Sequence, residues 1–132
     1  MRRVYFGADH IITSLGFTTE DNARQIQAGN SGIKVLEDKS LFPGPVSFSA
    51  VNTKELDRRF DEACKKITTA LPSQEFTRLE KMFLTSIAGA MENSTVDPRD
   101  PRTIMIFSTT KGNIDQIGNK TCLLYTSPSP RD

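Results

Sequence analysis

Few side chains in this sequence could act as nucleophiles or as acid–base groups near neutral pH. The chain has two cysteines, Cys64 and Cys122, and one histidine, His10. Cys64 lies in the segment EACKK, which lacks the turn that usually precedes a reactive thiol at the start of a helix. Lys65 and Lys66 could lower its pKa, but the context favours a buried or half-buried structural residue. We therefore assign no catalytic residue to this chain.

His10 lies at a bend in a predicted strand. A lone histidine in such a place is more often a hydrogen-bonded structural residue than a base, because no nucleophile is available to it. The two cysteines do not form a CxxC pair, and one histidine is too few for a zinc site of ordinary ligand spacing. We expect neither a metal nor a cofactor.

The segment TTKGN follows a short apolar run, and it contains the residues that we consider for substrate binding: Lys111, Gly112 and Asn113. In α/β proteins, ligand contacts are common in loops that follow strands. A solvent-exposed turn is the simpler alternative. The segment is not a phosphate-binding loop, because the G-x-x-x-x-G-K-[ST] spacing is absent.

Length and composition indicate a globular chain that forms one domain or part of one. The 132 residues are 36% apolar and 25% charged, and the net charge is +1. A charge balance this even gives no strong field to attract nucleic acid or an anionic membrane. No segment has the ~20 apolar residues that span a bilayer, and no apolar signal core follows Arg2 and Arg3. We expect a cytoplasmic protein without a nucleic-acid or membrane partner.

The first half of the chain alternates between β-rich segments and a capped helical segment. Threonines before acidic residues indicate a helix start, and a glycine ten or eleven residues after them indicates its end. The predicted elements are a strand over Val4–Thr13 bent at Gly7–His10, a helix from Thr18 or Thr19 to Ala28 stopped by Gly29, a loop over Ile33–Pro45 and a strand over Val46–Val51.

The second half has two helical segments, each with one apolar face, and then a short apolar run. The first helix is predicted over Lys54–Thr69, with Leu56, Phe60, Ala63, Cys64 and Ile67 on its apolar side. The second follows Pro72, is capped by Ser73, and buries Phe76, Leu79, Phe83, Ile87 and Ala90 or Met91. A turn over Asp97–Arg102 and a buried strand over Thr103–Ser108 come next.

This order of elements predicts an α/β protein with helices packed on a mixed sheet. Val4–Thr13 and Thr103–Ser108 should be neighbouring strands, with the helix containing Phe76–Met91 packed on them.

Four segments together resemble the start of the β-ketoacyl-acyl-carrier-protein synthases, which have a thiolase-like fold. The family's patterns are a V-V-S-P-L-G turn, L-x-A-G-x-S-G-I, a helix that begins R-M-D-R-F, and a D-P-x-x-P-x-R turn followed by a strand and a G-S-G-x-G-G-like loop. The matching segments are IITSLG (Ile11–Gly16), QAGNSGI (Gln27–Ile33), RLEKMFLTSIAGAM (Arg78–Met91) and VDPRDPRTIMIFSTTKGNI (Val96–Ile114).

Three departures from the family patterns stand out. Ser14 replaces a proline, and His10 stands where the family has glycine. The glycine-rich loop has become TTKGN, so that Lys111 lies where an apolar residue often meets the acyl chain. The third departure bears on chain-length selectivity more than on fold.

The resemblance implies that residues 1–120 are a partial synthase domain, the incomplete N-terminal half of a thiolase-like fold. Such enzymes condense acyl and malonyl units in fatty-acid or polyketide and polyene biosynthesis. Their substrates are carried on the phosphopantetheine of an acyl carrier protein, and the subunits form homodimers or heterodimers with a related synthase subunit. The catalytic residues lie in motifs such as T-A-C-A-S and H-G-T-G-T, which this chain lacks. The chain alone is therefore expected to be inactive.

Two alternatives remain open. The complete protein could resemble a chain-length factor, a partner subunit with the same fold and no nucleophile, as the unusual Lys111 loop would allow. The chain could also be a small, complete α/β binding module.

The C-terminal segment CLLYTSPSPRD, Cys122–Asp132, resembles a translated adapter of the kind used in sequencing libraries. A flexible tail rich in proline and serine is the alternative. The adapter match is more specific than composition, so we interpret residues 121–132 as a non-native tail and expect the natural protein to continue past residue 120.

Overall fold

The chain is a mixed α/β protein with three helices and one two-stranded antiparallel sheet. The computed structural model describes residues 3–37, 40, 42–66 and 75–113. The elements are α1 (Thr19–Gln27), β1 (Lys34–Leu36), β2 (Val46–Phe48), α2 (Thr53–Lys65) and α3 (Arg78–Glu92).

Helix α1 begins and ends as its sequence predicts. The Asp21 N–H donates to Thr18 Oγ1 at 3.0 Å, which satisfies one of the free donors at the helix start. Gly29 has a φ of +75°, a conformation that glycine adopts without a Cβ penalty, and it ends the helix.

The small sheet is a hairpin of β1 and β2. Leu36 pairs with Val46, and Lys34 pairs with Phe48. Strand β1 lies inside the predicted loop Ile33–Pro45, so that part of the prediction is wrong. The predicted strand Val46–Val51 is paired only as far as Phe48, because β1 supplies three partners and no more.

Helix α2 buries the two residues at the centre of its predicted apolar face, Leu56 and Phe60. The Glu55 N–H donates to the Asn52 side chain at 3.1 Å and caps the helix start. Hydrogen bonds from Arg58 and Arg59 lower the pKa of Glu55 to about 2. The remainder of the predicted Lys54–Thr69 helix after residue 66 lies outside the described residues.

Helix α3 begins later than predicted, because Thr77 caps it. Thr77 N–H donates to Glu80 Oε2 at 2.8 Å, and Glu80 N–H donates to Thr77 Oγ1 at 3.3 Å. This reciprocal pair is a capping box, whose T-x-x-E signature is present in the sequence. Pro72 and Ser73, the predicted break and cap, lie outside the described residues.

The buried apolar core of the described chain is small. Phe17, Leu56 and Phe60 are its buried members, with exposures of 6%, 0% and 7%. The Phe76 ring lies 5.2 Å from the Phe60 ring, where α3 packs against α2. The predicted buried face of α3 is only half-buried, and the residue that α3 buries most is Thr85.

Two predicted strands, Val4–Thr13 and Thr103–Ser108, are not strands in the structure. Val4 is 95% exposed and Ile106 is 88% exposed, so the prediction that they are neighbours in one sheet is also wrong. A strand needs a partner for its backbone, and the structure pairs neither segment beyond a single bridge from Thr13 to Gly16. Both segments instead meet α3.

The predicted turn over Asp97–Arg102 is confirmed. The Arg99 N–H donates to Asp97 Oδ1 at 2.9 Å, and the Arg102 N–H donates to Asp100 Oδ1 at 2.8 Å. Each aspartate before a proline thus holds the backbone two residues ahead of it.

Candidate functional site

The three residues considered for substrate binding lie in the loop after residue 108. Lys111 is exposed. Gly112 has a φ of +57°, and its N–H donates to Thr109 Oγ1 at 3.0 Å. Thr77 Oγ1 donates to Asn113 Oδ1 at 2.9 Å. The loop is therefore tied to the start of α3, while the Lys111 side chain extends into solvent.

An apolar groove adjoins this loop. It has a volume of about 450 Å³, within the range of ~300–1,000 Å³ that small-molecule sites occupy. Thr110, which precedes Lys111, is one of the residues that line it. The described lining is Ile12, Leu79, Met82, Phe83, Ser86, Ser108, Thr109 and Thr110.

The groove continues along α3 past Phe107. A second depression of about 370 Å³ lies there between Phe76, Leu84 and Ile87. The Phe107 ring meets the Phe83 ring edge to face, with the centroids 5.6 Å apart. One side of α3 thus presents a nearly continuous apolar surface that begins beside the Lys111 loop.

A polar cleft of about 480 Å³ lies on another side of α3, around His10. It is bounded by the N-terminal segment, the start of α1, α2 and α3. Ser86 Oγ donates to the His10 carbonyl oxygen at 3.2 Å. The charged residues that line the cleft are Asp9, Glu20, Arg59, Glu62, Lys66 and Glu92.

The His10 side chain has a packing role. Burial, and then the charge of Arg59, lower the pKa of His10 against the opposing effects of Glu92, Glu20 and Asp9. The imidazole is therefore neutral at neutral pH. Its Nδ1 has no hydrogen-bond partner among the described residues, so the expected side-chain hydrogen bond is wrong.

Gly89 allows the His10 ring to approach α3. A Cβ at this position would lie under 3.0 Å from three atoms of the ring. Gly89→Ala should therefore lower the free energy of unfolding by about 1 kcal/mol, because overpacking of ~1–3 kcal/mol exceeds the ~1 kcal/mol that alanine gains in helix propensity. Urea denaturation measures this change.

The matched background is His10→Ala, which removes the ring. There the same Gly89→Ala change should stabilise the chain, by the helix-propensity gain of ~1 kcal/mol. An equal loss in both backgrounds would contradict the proposed role of the ring.

Cys64 is half-buried and is a free thiol. Burial, and then the charge of Asp61, raise its pKa. The expectation that the neighbouring lysines could lower the pKa is thus wrong, and Lys66 forms an ion pair with Glu92 instead. A protonated thiol is a weak nucleophile, in accord with a structural role.

Sequence analysis missed Asn22, which is 4% exposed and organises the turn before α1. The two N–H groups of its Nδ2 are shared among the carbonyl oxygens of Ile11, Gly16 and Thr18, which lie 3.1, 3.2 and 2.7 Å from the nitrogen. Thr13 Oγ1 donates to its Oδ1. Asparagine has poor helix propensity, and its presence inside a helical segment was the signal for such a role.

In the described part of the chain, histidine, cysteine and acidic side chains form no group of three or more that could hold a metal ion. None of the described helices combines the length and the apolar character that crossing a membrane requires.

Contacts or a shared groove link each of the four segments that carry the resemblance to the synthases with at least one other. Ser14 Oγ donates to the Gly32 carbonyl oxygen at 3.1 Å, and a Cβ at Gly32 would overlap Ser14. Ile12 meets α3 in the apolar groove, and the Phe83–Phe107 contact joins α3 to the last segment. Segments separated in sequence are thus linked in the fold.

Comparison with known proteins gives no match to a protein-family model, to a curated protein or to a solved structure.

Proposed function

We propose that this chain is the N-terminal part of a β-ketoacyl-acyl-carrier-protein synthase-like protein of the cytoplasm. The complete protein would catalyse decarboxylative condensation of acyl and malonyl units in fatty-acid or polyketide biosynthesis. The observation that carries the proposal is the order of the four segments between Ile11 and Ile114. We also propose that these residues belong to the first half of a thiolase-like fold.

The contacts between the segments support this proposal. If the four similarities were accidental, nothing would require the segments to meet in space. Ser14 instead contacts Gly32, and Phe83 contacts Phe107. Gly32 in the second segment is needed for this close approach, since a Cβ there would overlap Ser14. Glycine fits at this position because it has no Cβ.

The apolar groove along α3 supports an acyl substrate. It is lined by Leu79, Met82 and Phe83 of α3 and by Ser108, Thr109 and Thr110, which precede Lys111. An acyl chain gains about 0.8 kcal/mol for each CH₂ that it buries. Lys111 and Gly112 follow Thr110, the last residue of the groove's lining along the chain, and would contact a substrate that extends from the groove. The bond from Thr77 to Asn113 would hold the loop in place.

The chain supplies a binding surface and no nucleophile for the reaction. Condensation requires a thiolate that takes the acyl group as a thioester, and groups that stabilise the enolate formed when malonyl loses CO₂. Cys64 is a poor candidate because burial raises its pKa. The nucleophile and the histidines would come from later parts of the protein, which would act with an acyl carrier protein and a synthase subunit of the same kind.

A chain-length-factor-like subunit is the second candidate. Such a subunit shapes the pocket of a catalytic partner and has no nucleophile of its own. Lys111 favours it, because a lysine replaces the apolar residue that often meets the acyl chain, and its side chain is exposed.

The deciding experiment is to read the native gene past codon 120 and to express the longer protein. We expect a cysteine in a T-A-C-A-S-like turn, and labelling of that cysteine by an inhibitor that reacts with condensing-enzyme thiols. Glutamine at that position would favour the factor. The 132-residue chain should show no decarboxylation or condensation, and Cys64→Ala should leave that result unchanged. Specific labelling of Cys64, or a native stop codon just past residue 121, would contradict the proposal.

A further inference from the structure

Three buried polar atoms around one cleft lack a hydrogen-bond partner. They are His10 Nδ1, Thr19 Oγ1 and Thr85 Oγ1, and every other buried side-chain nitrogen or oxygen of the described residues is paired. All three residues line the polar cleft of about 480 Å³ beside α3. Thr85 is only 6% exposed. Folded proteins pair the great majority of such groups with protein, water or a ligand, and a polar molecule bound in this cleft would satisfy all three.

The bases that line the cleft are already neutralised. The charged lining consists of four acids and two bases: Asp9, Glu20, Glu62, Glu92, Arg59 and Lys66. Arg59 Nε bonds to Glu55 at 2.7 Å, and Lys66 pairs with Glu92. Neither base is therefore free to hold an anionic molecule.

Two of the four acids have no partner of their own. Glu62 pairs with Arg58, whereas Asp9 and Glu20 form no ion pair or side-chain hydrogen bond with another described residue. Both carboxylates lie within electrostatic reach of the His10 ring. In the described chain, no three histidine, cysteine or acidic side chains converge on a metal-ion site. The matching ligand is therefore an organic cation, with two positive charges separated by a short chain.

We propose that the polar cleft around His10 binds a small aliphatic diamine. The carboxylates of Asp9 and Glu20 balance its two positive charges. The hydroxyls of Thr19 and Thr85 accept N–H donors from its ammonium groups, and the neutral imidazole supplies another acceptor. The inference does not depend on the proposed condensing function, because the cleft lies on a different side of α3 from the apolar groove.

The N-terminal segment gives such a molecule a way into the cleft. Residues 6–10 form one wall of it. No hydrogen bond joins residues 3–9 to another described residue, and the segment is first held at the His10 carbonyl oxygen, which accepts from Ser86 Oγ at 3.2 Å. This wall can therefore move outward without the loss of a hydrogen bond, and its movement opens the cleft toward Thr19 and Thr85.

Proton NMR of the full 132-residue chain tests the proposal, because His10 is the only histidine and its ring C–H signals report on the cleft. Titration with 1,4-diaminobutane at constant pH and ionic strength should shift these signals along a curve that saturates. 1-Aminobutane, which has one charge, should bind about threefold more weakly. 1,4-Butanediol, which has none, should give no saturable shift.

Substitutions test the two kinds of contact separately. Glu20→Gln removes one unpaired charge and should weaken binding of 1,4-diaminobutane about threefold. The matched control is Glu37→Gln, at an exposed position in another segment, which should leave binding unchanged. Thr85→Val removes the hydroxyl at nearly constant volume and should weaken binding by about threefold or more, whereas Thr85→Ser keeps the hydroxyl and should bind as the wild type does. Circular dichroism checks that each variant keeps its fold.

Histidine signals that do not respond to 1,4-diaminobutane would overturn the proposal and leave water as the partner of the three atoms. Equal binding of 1,4-diaminobutane and 1,4-butanediol would overturn it as well, since charge would then play no part in recognition. So would equal losses from Glu20→Gln and Glu37→Gln, or a Thr85→Val variant that binds as tightly as Thr85→Ser.

Discussion

Replacing Leu56 with alanine should destabilise the chain by about 3 kcal/mol, and this is the largest effect that we expect from one substitution. Leu56 is 0% exposed, and only Phe17 and Phe60 share the buried apolar core of the described residues. A buried leucine-to-alanine change costs ~2–5 kcal/mol, through lost burial and the cavity left behind. The free energy of unfolding of a natural domain is only ~5–15 kcal/mol in total. Urea denaturation followed by circular dichroism should show a lower midpoint or the loss of a cooperative transition.

The matched control for this prediction is Leu84→Ala in α3. Leu84 is 38% exposed, so the same chemical change should cost below ~1 kcal/mol. Equal losses from the two substitutions would show that the α2–α3 contact is not the core that stabilises the fold.

Replacing Asn22 with alanine should cost about 1–3 kcal/mol. The carbonyl oxygens of Gly16 and Thr18 keep the backbone N–H groups of Thr13 and Asn22 as donors, whereas the Ile11 carbonyl oxygen loses the Nδ2 donor and Thr13 Oγ1 loses its acceptor. A buried group left unsatisfied costs ~1–3 kcal/mol where water does not replace the lost bond. Gly16 and Thr18 precede α1, so amide hydrogen exchange should show the protection of α1 falling together with global stability.

Asn22→Asp separates the lost donor from the lost volume. The carboxylate would face three carbonyl oxygens, so this variant should be less stable than Asn22→Ala at neutral pH. The difference in stability between Asn22→Asp and Asn22→Ala should shrink as pH falls, because the protonated acid is favoured in the folded state and can donate one hydrogen bond. The control is Asn30→Ala, since Asn30 is exposed and bonds only to Gln25 among the described residues. If Asn30→Ala costs as much as Asn22→Ala, the role assigned to Asn22 is wrong.

The sequence by itself determined those elements whose signals are local. Thr18 and Gly29 bound α1, and Leu56 and Phe60 form the buried face of α2. The two Asp-Pro steps form the turn before Thr103. A cap or an apolar stripe is defined within a few residues, because the helix satisfies its own backbone. The missed capping box at Thr77 is a local signal of the same kind.

Tertiary structure decided which segments find partners. Val4–Thr13 and Thr103–Ser108 have strand-like composition, but a strand forms only where another chain segment accepts its hydrogen bonds. Strand β1 shows the converse, since Lys34–Leu36 was predicted to be a loop and pairs with β2. Composition records the preference of a segment and not the position of its partner.

Part of the candidate site was also predictable from the sequence, and part could be learned only from the folded structure. The sequence located the loop of Lys111, Gly112 and Asn113 after an apolar run, and the roles of these residues stay a prediction. That an apolar groove begins at this loop could be learned only from the packing of α3. The sequence also gave no means of placing Asn22 beneath three carbonyl oxygens, or of placing His10 against Gly89. Such contacts join residues distant along the chain, and only the folded backbone brings them within hydrogen-bonding or van der Waals reach.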